Sequence, residues 1–277
     1  IIDKPKGMGS TQVVGKTRYL LHANKNGHTG TLDPFATGVL PIAFGEATKL
    51  ISFVTDGNKE YEFVLKFGQQ TSTDDTEGEV IATSEKIPTK AEIERAIPHF
   101  LGEITQVPPI YSAIKINGKP AYKRARKGED VEIPSRKVQI YALEILDYHG
   151  ASIKMRVECS KGTYIRSLIN DIGKELNVPA TMTSLIRTKQ GNTSIEEAYT
   201  LEEFLLGSYK MYTIDEVLNL PVIEVDEKLE YKIKNGVKLD NSWQIEDKVI
   251  FKNKEGKLPL VLFFLHQILF HLHIQMD

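Results

Sequence analysis

Long strands interleaved with helices, without regular strand–helix–strand alternation, predict an α+β fold for this chain. The clearest strand carries Tyr61, Phe63, Leu65 and Phe67, alternating with Glu60, Glu62, Val64 and Lys66. That period of two is what one buried sheet face requires. The clearest helix places Ile165, Leu168, Ile169, Ile172 and Leu176 along one face. With 41% hydrophobic residues in 277, the chain can build one large domain or two smaller ones.

The elements follow in order. A first strand lies at the start. Ser10 is placed to cap a helix reaching about His22, with Val13, Val14, Thr17, Leu20 and Leu21 turned inward. Residues 39–44 read as one short strand and 46–54 as a helix. A helix over 92–101 meets Pro98, whose missing N–H and ring stop it. Strands follow at 138–148 and 152–160, then the helix of Ile165. Short helices at 201–206 and 214–218 close this body. After Pro221 the composition shifts to a small α/β piece, so the chain divides into 1–220 and 221–277. The apolar run at 258–270 is too short and too interrupted by His266 for a membrane span.

Cys159 is the sole cysteine, which excludes internal disulfides and any cysteine-based zinc site. It alternates with Ile153, Met155 and Val157, so a buried strand thiol is expected. No charged-then-apolar leader is seen, and a cytoplasmic protein is expected. The formal charge of −2 gives no overall basic footprint of the kind nucleic-acid binders carry. Distribution says more than the sum. Lys115, Lys119, Lys123, Arg124, Arg126, Lys127, Arg136 and Lys137 cluster in one stretch, opposed by Glu129, Asp130 and Glu132. Acids gather elsewhere, at 73–79 and 224–230. A local basic arm on a neutral body suits one structured RNA, and equally a solvated helix face.

The segment Gly27-His28-Thr29-Gly30-Thr31-Leu32-Asp33-Pro34-Phe35-Ala36-Thr37-Gly38-Val39-Leu40-Pro41 is the most informative. It holds a single carboxylate, Asp33, among glycines and threonines. Pro34 fixes its own φ and turns Asp33 away from the helical region. Gly27, Gly30 and Gly38 permit tight or positive-φ turns. Such a loop holds one acid in a fixed pose beside something large.

This segment closely resembles the signature of the bacterial tRNA pseudouridine-55 synthases, the TruB-type family. Further segments fit in the same order: Ile2-Asp3-Lys4-Pro5-Lys6-Gly7, Lys59-Glu60-Tyr61, Pro108-Pro109-Ile110-Tyr111-Ser112-Ala113 and Gly162-Thr163-Tyr164-Ile165-Arg166. The resemblance runs to about Gly191. It implies a mixed, mainly antiparallel sheet in the catalytic domain, an RNA-gripping insertion over about 105–137, and a small C-terminal PUA-like domain. The PUA pattern is met only partly, and 258–270 departs from it.

By this resemblance Asp33 is the catalytic acid and Arg166 its cationic partner, which favours the ionised carboxylate and orients it through a bidentate contact. Tyr61 stacks on the target uracil. Its phenol, with an ordinary pKa of about 10, is a poor base unless its proton is relayed. Tyr164 and Leu185 line the same pocket. A uridine stacked inside a T-arm must be extruded before it reacts, and His28 braces the vacated space. Lys4 and Lys6 either touch phosphate or support the loop. Lys115, Arg124 and Arg126 supply phosphate contacts from the insertion.

The implied reaction breaks the N1–C1′ bond, rotates the base and joins C5 to C1′. Nothing is oxidised or hydrolysed, so no metal or organic cofactor is implied. The implied partner is the tRNA T-arm, with no membrane, no required protein partner and a monomeric enzyme. Rival readings are a synthase acting on another RNA, and an RNA-binding or RNA-folding protein with secondary or lost catalysis. A glycoside hydrolase would need a second placed carboxylate, and no pair stands out.

Overall fold

A computed structural model of the chain describes residues 1–112, 114–116, 118–125, 129, 132–235, 237, 239, 243, 248–255, 260–265 and 268–273. The first half contains strands β1 (Ile2–Lys4), β2 (Asn26–His28), β3 (Thr37–Leu40), β4 (Ile42–Phe44), β5 (Lys59–Phe67), β6 (Gln69–Thr71), β7 (Val80–Thr83) and β8 (Gly102–Gln106). Helices α1 (Ser10–Leu20), α2 (Ile51–Thr55) and α3 (Lys90–Ala96) lie between them. A short excursion follows, with β9 (Lys115–Ile116), β10 (Lys119–Pro120) and α4 (Ala121–Ala125). The long antiparallel pair β11 (Arg136–His149) and β12 (Ser152–Cys159) leads to α5 (Ile165–Glu175) and β13 (Ala180–Gln190). The chain ends with β14 (Thr193–Ser194), β15 (Tyr199–Thr200), α6 (Leu201–Leu205), α7 (Ile214–Leu218), β16 (Val222–Val225), α8 (Glu227–Lys234), β17 (Lys248–Asn253), β18 (Leu260–Leu265) and β19 (Ile268–His273).

The central sheet runs β15-β1-β3-β13-β5-β12-β11-β8, with β14 paired to β13. Only the β1–β15 and β3–β13 pairings are parallel among its described pairs. The expected mixed, mainly antiparallel α+β architecture is therefore observed. Its core forms where α5 lays Ile165, Leu168, Ile169 and Ile172 against Tyr61, Phe63, Leu65 and Phe67 of β5. Each large apolar side chain so buried contributes on the order of 1.5–3 kcal/mol. Cys159 belongs to this core, and burial pushes its thiol up to about 11, as a strand thiol rather than a nucleophile.

Local departures have local causes. Pro41 divides the expected strand over 39–44 into β3 and β4, because it has no N–H to give the ladder. Pro98 ends α3 at Ala96 and leaves a tighter turn over Ile97–Phe100. Ser10 does not cap α1. Gly9 does, and its N–H donates to Gln12 Oε1 at 2.8 Å. The Ser10 hydroxyl instead staples Leu32, donating to its carbonyl at 2.9 Å and accepting from its N–H at 2.8 Å. Strand β13, in the middle of the sheet, has too little alternation for its sequence to announce it.

The C-terminal piece forms a sheet in the order β16-β17-β18-β19, with a small core of Val225, Ile233, Leu239, Val249 and Phe251. A second cluster, Leu50 and Ile250 with Ile214 and Leu218, joins it to the main body. Among the described residues no helix is long and apolar enough to cross a membrane.

Candidate active site

Three elements converge on the loop between β2 and β3. The Asp33 carbonyl accepts from Ala36 N–H at 3.0 Å, closing the turn that Pro34 initiates. The Pro34 carbonyl accepts from Gly7 N–H at 2.7 Å and from Lys4 Nζ at 3.3 Å. Lys4 also donates to the carbonyls of Pro5 at 2.9 Å and Met8 at 2.6 Å, and its side chain is fully buried. Burial lowers its ammonium to about 8. With its three donors so engaged, Lys4 has none left for a phosphate, and its place is beneath the loop.

Asp33 itself keeps 38% side-chain exposure, while Arg166 beside it keeps 6%. Their contact, Nη2 to Oδ2, is 2.8 Å. The guanidinium is not devoted to Asp33 as a bidentate clamp would be. Nη2 also donates to the Tyr111 carbonyl at 2.9 Å, while Nη1 donates to Thr73 O at 3.3 Å and lies 3.7 Å from Asp75 Oδ2. Arg166 sits in the first turn of α5 but is buried, unlike an ordinary helix-end arginine. Burial raises the Asp33 carboxyl above its ordinary value, Arg166 opposes this, the charge of Asp75 adds to it, and Lys4 opposes it.

Asp75 was not evident from sequence, where it is one acid in a run at 73–79. It is buried, accepting from Thr73 Oγ1 at 2.6 Å and Glu77 N–H at 3.0 Å. Its signal is the Thr-Asp-Asp-Thr pattern, whose Asp74 takes a positive φ of 59°. Such a turn aims one carboxylate inward.

Arg187 was also missed. It is 1% exposed, stands opposite Tyr61 on β5 and beside Gly38 on β3. Its Nε donates to Val39 O at 2.8 Å and Nη2 to Gly30 O at 3.1 Å. Its charge works against the burial that raises the Tyr61 phenol. Gly38 has φ of 103°, and a Cβ there would come within 2.2 Å of the Arg187 carbonyl oxygen. Gly27 has no positive φ, and a Cβ there would press on the Ile51 side chain at 2.8 Å.

Tyr61 is buried at the end of the core face, and burial raises its phenol above the ordinary value. Leu185 is buried opposite Phe63 in the same core. His28 is half-buried, and its Nδ1 accepts from Gly30 N–H at 3.3 Å, which selects the neutral tautomer protonated at Nε2. Burial first, then the charge of Arg187, lower its pKa. Tyr164 caps α5, with the Arg136 guanidinium 5.9 Å from its ring centre.

Arg124 of the excursion does not join this cluster. Lys115 lies on β9, and its side chain is outside the described residues, as is the whole of Arg126. Arg124 on α4 donates to Glu129 at 2.7 Å.

Residues 18–165 match the model of the TruB family pseudouridylate synthase N-terminal domain. The chain is 44% identical over 250 residues to tRNA pseudouridine synthase B of Caldanaerobacter subterraneus subsp. tengcongensis, covering 89% of this chain and 87% of that protein. It belongs to the TruB family of pseudouridylate synthases. A second relative, tRNA pseudouridine synthase B of Brucella anthropi, is 50% identical over 204 residues, or 73% of this chain and 63% of that protein. Among solved structures, a chain of a Cbf5-Nop10-Gar1 complex superposes with a TM-score of 0.72 at 25% identity, covering 95% of this chain and 77% of that one. The TruB family thus accounts for the signature around Asp33, and the likeness extends through the whole sheet.

Proposed function

We propose that this TruB-family chain isomerises a T-loop uridine of tRNA, at position 55, to pseudouridine after extruding the base. The reading is carried by the pairing of Asp33 with the buried Arg166 beside Tyr61, in a loop pinned from below. Asp33 engages the extruded nucleotide as the carboxylate catalyst, since a carboxylate can add to an electrophile and leave again. Arg166 favours its charged form and sets its orientation. Tyr61 stacks on the uracil, Tyr164 and Leu185 wall the pocket, and neutral His28 braces the space the base leaves.

The stretch over 105–137 grips the T-arm through phosphate contacts from Lys115, Arg124 and Arg126, and the piece over 221–277 adds a second RNA contact. A monomer in the cytoplasm, needing no protein partner, suits this task. The test is tritium release from C5-labelled uridine in a tRNA T-arm, because joining C5 to C1′ expels that hydrogen. Release by the native chain, lost in Asp33→Asn with RNA binding retained, is the expected result. Tight binding without release by the native chain would replace this reading with an RNA-binding one.

A further inference from the structure

We propose that Gln190 is a positioning residue for base extrusion, holding the Thr29–Gly30 peptide in the orientation that fixes the His28 imidazole. The proposal rests on the isomerase reading above and on the part that reading gives His28.

A β-bulge brings Gln190 to this place. In a regular strand, residues three apart point to opposite faces of the sheet. Arg187 pairs with Tyr61 and Lys189 with Glu60, so Thr188 is an extra residue in β13. The bulge turns Gln190 to the side that Arg187 occupies. Both are buried, while Lys189 between them is exposed.

Gln190 Nε2 donates to Thr29 O at 2.7 Å and to Thr29 Oγ1 at 2.8 Å. Thr55 Oγ1 donates to the same carbonyl at 2.8 Å. That carbonyl shares its peptide unit with the Gly30 N–H. The peptide is trans, so the planar amide sets its N–H opposite its carbonyl. On that opposite side Gly30 N–H donates to His28 Nδ1 at 3.3 Å. One rigid plane therefore links a buried amide of β13 to the imidazole. Donors on the carbonyl also polarise the N–H and strengthen its bond to Nδ1. Turning the peptide over would break its bonds to Gln190, Thr55 and His28 together.

With Nδ1 engaged as an acceptor, neutral His28 carries its proton on Nε2, and its ring is tied to one plane. A flat ring with a single N–H resembles a base. Stacking it on the bases left behind requires that plane to be set before the RNA arrives. Packing alone does not call for an amide at position 190. Gln190 Oε1 is buried without a hydrogen-bond partner among the described residues, which costs stability. A methionine of similar size would fill the space without that cost.

The experiment is a double-mutant cycle on single-turnover tritium release from C5-labelled T-arm RNA at saturating enzyme, using Gln190→Met, His28→Ala and their combination. Gln190→Met is expected to slow the native enzyme about 10-fold, but the His28→Ala enzyme by less than about 2-fold. A T-arm carrying 2-aminopurine beside the target uridine, bound by Asp33→Asn enzyme, reports unstacking as a rise in fluorescence. Adding Gln190→Met is expected to slow that rise. An unchanged release rate, or equal slowing in both backgrounds, makes Gln190 a packing residue and overturns the proposal. A second arm needs no variant to fold: the nitrogen NMR shifts of the His28 imidazole in the RNA-free native enzyme, above the ordinary histidine pKa of about 6.5. A single tautomer protonated at Nε2 is expected there, and a mixture in Gln190→Met. A mixture, or protonation at Nδ1, in the native enzyme would sink the proposal. Absence of tritium release by the native enzyme would instead defeat the isomerase reading, while the imidazole spectrum still decides the link from Gln190 to His28.

Discussion

The loop over 28–40 and the excursion over 107–135 flank the same site but are held in opposite ways. Around Asp33, buried cations and main-chain bonds tie the loop at several points: Lys4 from below, Ser10 at Leu32, Arg187 at Gly30 and Val39. The excursion is anchored at its root, where Ser167 Oγ donates to Val107 O at 2.8 Å and Arg166 to Tyr111 O. Beyond that, its described apolar packing is a small cluster of Ala121 and Ile133 with Ile114 and Ile116. The difference suits the two tasks proposed for them. A catalytic carboxylate must be fixed before substrate arrives, whereas a surface that grips RNA gains from following its shape.

Removing the carboxylate tests the fixed side most severely. Asp33→Asn should lower the single-turnover rate by at least about 10³-fold, with RNA affinity nearly unchanged. Its pH dependence has a definite sign. Because the Asp33 pKa lies above the ordinary 3.8, activity that needs the carboxylate should fall as pH drops through that raised value. Stability runs the other way, since a raised carboxyl pKa favours the folded protein at low pH and this is lost as pH rises through the folded value. Asp33→Asn should therefore melt at or above the native temperature at neutral pH, with the difference shrinking in acid. Lower melting of the variant at neutral pH would mean that Arg166 depends on Asp33 more than on Asp75, Thr73 and Tyr111.

Gly38→Ala should come next. At φ of 103°, with a Cβ 2.2 Å from the Arg187 carbonyl oxygen, it should cost at least about 3 kcal/mol in chemical denaturation. Full stability would show that the β3–β13 contact can open, and the loop would then be less rigid than argued. Lys4→Met leaves buried carbonyl oxygens without a donor and should cost about 1–3 kcal/mol. Its rate should fall while the salt dependence of RNA binding stays the same. A flatter salt slope would return Lys4 to a phosphate contact. The smallest effect is expected on the excursion. Arg124→Ala should change stability by less than about 0.5 kcal/mol, since its ion pair with Glu129 is partly exposed. It should reduce the slope of log affinity against log salt by about 1. An unchanged slope would remove Arg124 from the grip.

Much of the molecule was legible in the chain itself. The alternation at Tyr61–Phe67 and the helical spacing after Ile165 are direct consequences of burying one face, so local pattern sufficed for β5 and α5. Asp33, Arg166 and Tyr61 were named through the resemblance of their motifs to the TruB-type family; by local pattern alone they read as a turn acid, a helix-end arginine and a core aromatic. Ser10 could not be assigned in this way. Its hydroxyl suits an N-cap by every local rule, and it is spent on Leu32 only because the loop returns there.

Arg187, Asp75 and Lys4 mark what only the tertiary structure decided. An arginine near the end of the matched region and an aspartate in an acidic run read locally as solvated charge, and for Lys4 the sequence left a phosphate contact and support of the loop both open. Sequence determines which residues can hold charge and which stretches must hide one face. It does not determine which charge is taken inside, because that depends on acceptors supplied by strands far apart in the chain. The Val39 and Gly30 carbonyls become acceptors for Arg187, and Tyr61 its cross-strand neighbour, only when β3, β13 and β5 lie side by side. A buried cation is tolerated only where such acceptors meet it.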